Sequence, residues 1–347
     1  MKKLYFLLLP LLAMSCSKYA NEVHESTLTV NVDSAIIINT SEIAKAVLNK
    51  DKEPLLLGYI SGFIAVNNDE FIVATDARPL MKFDLHTGDM LSELGRIGRA
   101  SNEYSGIFDM WIEQDSLLAA FDFNTKQILH YSIATGKFVS SSRLSAENAS
   151  ANAFSMLCPT EGGQFIGKLT YQGMPTKELA LYDKDYGFVR HIGDRTFNSG
   201  TKLGRNFVQY NDEVLYNPLF SREIYNVTQD TITLKYQINF GDKNIDPSKF
   251  DTEIEFLNQI NTSPEKCALI IGNFSESDDY VAFRFFNNRK RHLAIHNKST
   301  SETQCYIFSD TGDSTLADVF VMGNNVVLFY ATSDENYIKH ISISELK

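Results

Sequence analysis

The apolar positions of this chain fall into short alternating runs that return in the same order at a nearly constant interval. The stretch from Gly62, GFIAVNNDEFIVATDARPLMKFDLHTGDML, predicts a strand, an Asn-Asn-Asp-Glu turn, a second strand over Phe71–Thr75, a third over Leu80–Leu85, a Thr87-Gly88 turn and a fourth strand. The stretch from Asp109, DMWIEQDSLLAAFDFNTKQILHYSIATGKFV, repeats that order, and its Thr135-Gly136 turn lies 48 residues after the first. The apolar centres of successive second strands are Ile72, Leu118, Ile166, Leu215, Val281 and Val327, at spacings of 46, 48, 49, 66 and 46 residues. Six units of four short strands predict an all-β fold, a six-bladed β-propeller with four-stranded blades.

Three local departures from the period carry further expectations. The long spacing contains DPSKFDTEIEFLNQI (246–260), where Phe250, Ile254, Leu257 and Ile260 recur three or four apart after an Asp-Pro start, which predicts one inserted helix near 247–260. Ile43, Ala44, Val47 and Leu48 share a helical face behind Thr40 or Ser41, which predicts a second short helix over Ser41–Leu48. The sixth unit, after NNVVLFYA and YIKHISI, has no fourth strand before Lys347, whereas TLTVNV (27–32) is a strand with no unit of its own. The expectation is that an N-terminal strand, Thr27–Val32, closes the last blade and removes its open edge.

Ahead of the repeats stand Lys2, Lys3 and a nearly unbroken apolar run, Leu4–Met14, interrupted by Pro10. That run is too short to span a bilayer and fits the h-region of a signal peptide. Ala13-Met14-Ser15 followed by Cys16 matches a lipid-attachment box with Ala13 in the usual leucine place, so Cys16 is the expected lipidation site. The expected organisation is a signal peptide over 1–15, a tether over 16–26 and a propeller over 27–347.

The whole chain carries 32 Lys and Arg against 43 Asp and Glu, a net charge of −11, and removal of 1–15 makes it −13. A chain this acidic has little means of neutralising phosphates, so nucleic acid is not an expected partner. Beyond Cys16 there are Cys158, Cys267 and Cys305, an odd number over a long chain, which reads as small buried hydrophobes; Cys267 and Cys305 fall in one unit and are the only candidates to pair.

The strand–Asp–strand–Thr-Gly unit FIVATDARPLMKFDLHTG, the segment Ser41-Glu42-Ile43 leading into LLLGYISGFIAV, and the loop LGRIGRASNEY (94–104) together resemble the six-bladed propeller lipoproteins of Bacteroidetes, relatives of NHL and TolB-like propellers. In the loop, Ala100-Ser101 stand where that family has Gly-Pro. The resemblance implies a propeller fold, a palmitate-bearing lipoprotein and an outer-membrane location, facing the periplasm or the cell surface.

Candidate chemistry is sparse. No Gly-x-Ser-x-Gly elbow occurs, and His86, His130, His292 and His296 fall on third strands or their turns without metal-ligand spacing. Asp76, Asp122, Asn217 and Asn287 end second strands and would have to converge on the axis to serve a divalent-metal-dependent, lactonase-like hydrolase or lyase, the alternative reading. The favoured reading has no catalytic residue and no cofactor: a monomeric binding or scaffold propeller for a glycan, peptide or partner protein. Its candidate ligand-binding residues lie on the loops that share one face of such a ring: Arg78, Arg96, Arg99, Glu103, Tyr104, Tyr171, Arg195, Arg205, Arg222 and Arg289, with Phe123, Phe220 and Phe286 beside them. Arginine forks and aromatic faces suit carboxylates and sugars, and the same residue types also pin neighbouring blades together.

Overall fold

A computed structural model describes residues 26–58, 60–76, 78–144, 154–170, 176–195, 205–272, 274–309 and 315–346. The signal-peptide segment, Cys16, most of the tether and Tyr171 therefore lie outside the described residues.

The described residues begin with three strands, β1 (Ser26–Thr29), β2 (Ile36–Asn39) and β3 (Lys45–Val47), and a small hairpin, β4 (Asn49–Lys50) and β5 (Glu53–Pro54). Blade 1 follows as β6 (Ile60–Ala65), β7 (Glu70–Thr75), β8 (Leu80–Asp84) and β9 (Met90–Leu94). Blade 2 is β10 (Ile107–Glu113), β11 (Leu117–Asp122), β12 (Gln127–Ser132) and β13 (Phe138–Arg143). Blade 3 is β14 (Phe154–Pro159), β15 (Phe165–Leu169), β16 (Lys177–Tyr182) and β17 (Phe188–Asp194). Blade 4 is β18 (Phe207–Tyr210), β19 (Glu213–Tyr216), β20 (Glu223–Val227) and β21 (Ile232–Asn239). Helix α1 (Glu253–Thr262) leads into blade 5, whose innermost strand is split into β22 (Ala268–Ile270) and β23 (Ser275–Glu276), followed by β24 (Tyr280–Asn287), β25 (Lys290–Asn297) and β26 (Glu302–Ser309). Blade 6 has β27 (Thr315–Met322), β28 (Asn325–Ala331) and β29 (Asn336–Ser342), with β3 as its outer strand. The six-bladed, four-stranded propeller is thus the fold.

The core is six seams. Each blade packs both faces against neighbours, so second strands are apolar on both sides: in β7, Phe71 and Val73 join Phe320 and Phe329 of blade 6, whereas Ile72 and Ala74 join Met110 and Leu118 of blade 2. The remaining junctions repeat this arrangement. A two-residue side-chain period with both phases apolar follows from that sandwiching. The Thr-Gly turns mark where a blade meets the outer strand of the one before it. Gly88 and Gly136 hold φ of 75° and 68°, and a Cβ there would stand 2.3 Å from the Val47 carbonyl oxygen and 2.4 Å from that of Glu93.

An N-terminal strand does close the last blade, but it is Lys45–Val47 rather than Thr27–Val32. Val47, Ala46 and Lys45 pair antiparallel with Tyr337, Ile338 and Lys339. β1 instead lies parallel to β21 as a fifth strand of blade 4, and β2 parallel to β26 on the outside of blade 5. The segment from β1 through β3 therefore straps three consecutive blades. The short helix predicted over 41–48 is absent for the same reason. Eight residues make a marginal helix, and the unpaired edge of β29 offers backbone partners that solvent does not. Thr40 caps nothing: it is fully buried, its hydroxyl donating to the Ser309 carbonyl (3.0 Å) and bonded to the Tyr330 hydroxyl (2.8 Å).

The inserted helix is present but starts later than predicted. Thr252 is its N-cap, accepting from Glu255 N–H at 3.2 Å, while Asp246-Pro247 opens a separate single turn. Phe256, not Ile254, is the buried anchor, and Ile254 is 72% exposed. Cys267 and Cys305 are free. Cys267 directly precedes innermost β22 and Cys305 lies on β26, three strand spacings outward, or about 14 Å, beyond disulfide reach.

Because Leu48 N–H donates to the Asn336 carbonyl, Ala46 two residues earlier occupies the next hydrogen-bonded position of the closing ladder. Ala46→Pro removes that donor and is expected to cost about 3 kcal/mol. Thermal and urea denaturation against the parent protein would show it.

Candidate functional site

The six innermost strands enclose an axial channel with two chambers. The wider, about 320 Å³, is lined by residues from all six blades, including Phe63, Trp111, Pro159, Phe207, Phe274 and Phe320. The narrower, about 90 Å³, sits toward the ends where the innermost strands begin, the face that also carries the second-to-third-strand loops. Ser61, Phe108, Asp109, Arg284 and Asp318 line it, and Arg205 reaches both chambers.

Arg205 ties three blades. Its Nη1 pairs with the Asp109 carboxylate and donates to the Met110 carbonyl (3.1 Å), and its Nη2 donates to the Leu157 carbonyl (2.5 Å). The other Asp109 oxygen accepts from Leu157 N–H (3.0 Å), so blades 2, 3 and 4 meet at one guanidinium. Burial works against its charge, but the Asp109 carboxylate beside it wins and pushes its pKa up. Across the mouth, Arg284 pairs with Asp318, with Arg291 3.4 Å from the same carboxylate and the Phe320 ring 5.3 Å from the Arg284 guanidinium. Burial and the neighbouring Arg291 bear down on the Arg284 charge, and Asp318 in contact with it supplies the opposite one.

The predicted rim residues divide by what holds them. Tyr104 is buried, its hydroxyl accepting from Leu80 N–H (2.6 Å) and donating to the Leu94 carbonyl (3.2 Å); desolvation raises its pKa. Glu103 accepts from the backbone N–H groups of Arg99 (2.9 Å) and Ala100 (3.0 Å), so it shapes its own loop. Arg78 donates to the Leu56 carbonyl (2.7 Å) and Arg222 to the Ile238 carbonyl (3.0 Å). Arg195 is buried against Glu178 (3.0 Å), whose carboxylate also accepts from Tyr216. Arg96, Arg99 and Arg289 are exposed on the same face. Phe220 packs on Phe256 and Phe123 on Phe108, with ring centroids 5.0 and 5.3 Å apart.

The residues offered for a metal serve their own loops. Asp122 accepts from the N–H groups of Ser105 (2.7 Å) and Asn124 (2.9 Å), Asn217 donates to the carbonyls of Ser221 and Glu223, and Asn287 to those of Pro264, Glu265 and Cys267. None of these, nor Asp76, lines either chamber. Among the described residues no group of three or more His, Cys, Asp or Glu is placed to hold a metal ion. Asp109, Arg284 and Asp318 were missed by sequence reasoning; the signal available was a charged residue interrupting an otherwise apolar strand.

A second polar cluster sits at the far end of β10. Glu113 accepts from Nε1 of Trp111, the only tryptophan, at 2.6 Å, and from the Tyr186 hydroxyl at 3.1 Å, with His130 Nε2 3.3 Å away. Burial works to raise the Glu113 pKa, but His130, Trp111 and Tyr186 outweigh it and hold the carboxyl below its ordinary value.

Structurally, then, this is an all-β propeller whose channel mouth and blade-junction loops form one arginine-bearing face. Residues 48–347 match the family described as domain of unknown function DUF4934, and the chain belongs to that family. No curated protein matches it. Among solved structures it is similar to a protein of Bacteroides fragilis inferred to be exported, with TM-score 0.67 and 14% identity over 91% of this chain and 99% of that one. It is also similar to U3-55K (TM-score 0.51, 11% identity, 86% and 98% covered) and to the RRP9 WD40 repeats (0.50, 10%, 87% and 98%). At these identities the likeness concerns the fold. No helix of the described residues is long and apolar enough to cross a membrane.

Two predictions follow from the charges. Arg205→Met strands Asp109, which is 6% exposed, and is expected to destabilise by about 3 kcal/mol, whereas Arg205→Met with Asp109→Leu recovers most of that loss in chemical denaturation. For Glu113, a folded pKa below the unfolded one means its stabilisation is complete above the ordinary value of 4.5 and fades as pH falls through the lower, folded pKa. Acid titration should therefore change Trp111 fluorescence below about pH 4.5, and Glu113→Gln should remove that step.

Proposed function

We propose that this chain is a lipid-anchored, extracytoplasmic binding propeller of the outer membrane that holds a carboxylate-bearing glycan or peptide at the channel mouth. The observation that carries the reading is the narrow chamber. There, two guanidinium groups are fixed by carboxylates and backbone carbonyls among Phe63, Phe108, Phe320 and Ser61. Donors already held in place lose little entropy when a ligand arrives, and aromatic faces beside them suit sugar rings or side chains. Arg96 and Arg99, exposed on the same face, extend positive charge outward from the mouth on a molecule of net charge −11.

Export is supported by the charged and apolar start of the chain and by the likeness to a B. fragilis protein inferred to be exported. The Ala13-Met14-Ser15-Cys16 box makes Cys16 the attachment point, and the strand–Thr-Gly units keep the NHL and TolB-like kinship as part of the reading. A single lipid chain binds membranes only marginally, so the diacylated and N-acylated cysteine of a lipoprotein is the form expected to hold.

Two measurements test this. Cys16→Ser, expressed in a Bacteroidetes host, should lose palmitate labelling and move from the membrane to the soluble fraction; retention on the membrane would reject the anchor. Ser61→Trp fills the narrow chamber. In a thermal-shift screen of acidic oligosaccharides and short peptides, a binder should raise the melting temperature of the parent by a few degrees and leave Ser61→Trp unmoved. Equal responses from both proteins would place the ligand elsewhere.

A further inference from the structure

Away from the channel, the insertion before blade 5 encloses a second cavity of about 270 Å³. Its walls are Leu257 and Ile260 of α1, Phe220 from blade 4, and Leu269 and Phe286 from blade 5. These side chains form one apolar cluster with Phe256, except Phe286, which carries the Arg291 guanidinium 5.6 Å from its ring. The floor is fixed: the Asn287 amide donates to three carbonyls of the loop between α1 and β22, and Asn288 N–H donates to the Pro264 carbonyl at 2.9 Å. The pocket is therefore preformed.

One cation stands at its opening. Arg289 is exposed, and its guanidinium makes a single long hydrogen bond, 3.5 Å, to the Asn261 carbonyl. It is placed by the two-residue turn between β24 and β25, in which Asn288 and Arg289 hold φ of 48° and 60°. Such turns favour Asn-Gly, and a residue that carries a Cβ in the glycine place is strained. The strain puts a fork-shaped donor at the lip of an apolar hole.

We propose that this pocket binds a small monocarboxylate with a short alkyl or aryl tail. The tail fills the space between Leu257, Ile260 and Phe286, and the carboxylate pairs with Arg289 at the opening. The volume lies just below the usual range for ligand pockets, which limits the tail to a few carbons or one ring. This site is separate from the channel mouth and does not depend on it.

The test uses hexanoate, 3-phenylpropionate and 4-phenylbutyrate, with 4-phenylbutanol as the uncharged control, titrated calorimetrically into the purified protein. At least one acid should bind saturably, with 4-phenylbutanol and the Arg289→Gln protein each weaker by about tenfold or more and Arg289→Lys intermediate. Leu257→Trp should abolish binding. The bound acid should also slow alkylation of Cys267, which lines the pocket, without changing Cys158 or Cys305, a readout that holds even if Leu257→Trp fails to fold. No saturable binding by about 10 mM, or affinity unchanged in Arg289→Gln, overturns the proposal. Acid binding lost in Ser61→Trp but kept in Arg289→Gln would assign it to the channel instead.

Discussion

Three paired residues close this ring. Lys45, Ala46 and Val47 complete blade 6 against Tyr337, Ile338 and Lys339, and without them β29 would be an open edge beside a half-covered seam. No blade owns a core, because each apolar side chain of a second strand is buried by the blade next door. Opening one junction therefore exposes two faces at once, and the cost spreads around the circle. The strap adds to this: Leu28, Val30 and Val32 pack into the seam between blades 4 and 5, while Thr40 is locked between Ser309 and Tyr330 at the next junction. Some twenty residues ahead of the first blade thus tie half the ring to its closing point.

A ring with an axial channel leaves its centre short of apolar contacts, and polar groups hold the innermost strands there. Arg205 with Asp109 and Arg284 with Asp318 are partly or wholly withdrawn from water, where each charge is tolerable only because its partner is fixed. Hydrogen bonds from Arg205 to the Met110 and Leu157 carbonyls use the guanidinium as a three-way connector between strands that share no ladder. The same rule operates around Glu113 and around Glu276, where Lys235, Lys298 and Tyr236 converge on one carboxylate. The residues that hold the mouth together are also those of the proposed site, so a ligand there would meet donors already oriented.

The blades were legible because sandwiching forces a continuous apolar second strand, and because a Thr-Gly turn recurs where blades abut. What failed to read was whatever depended on a distant partner. Lys45–Val47 has an unremarkable composition, and only the open edge of β29, nearly three hundred residues away, makes it a strand. The alternation in Thr27–Val32 does mark a strand, formed over Ser26–Thr29, but nothing local says whether it belongs to blade 4 or blade 6. Of the rim residues, Arg195, Glu103 and Tyr104 had the right chemistry for a ligand and spend it on blade junctions or loop shape, a choice that burial decides and sequence does not show. Asp109 and Asp318 went unnoticed because an acid inside an apolar strand makes sense only once an arginine from another blade, or from the neighbouring sheet, is in view.

The direction of the strap bears on how the two candidate pockets would be presented. β1 runs parallel to β21, so the chain climbs from the face of the first-to-second-strand turns toward the face of the channel mouth and α1. Ser26 is therefore the end nearer the opposite face. A lipid on Cys16, ten residues earlier, would draw that opposite face toward the membrane, since a short polar tether reaches only a few tens of ångströms even when extended. The arginine-bearing face, with the mouth at Arg205 and Arg284 and the apolar pocket under Arg289, would then look away from the bilayer. An anchor at Cys16 and a binding face at the mouth would then stand at opposite ends, because one parallel strand pairing fixes the direction in which Ser26–Thr29 joins the ring.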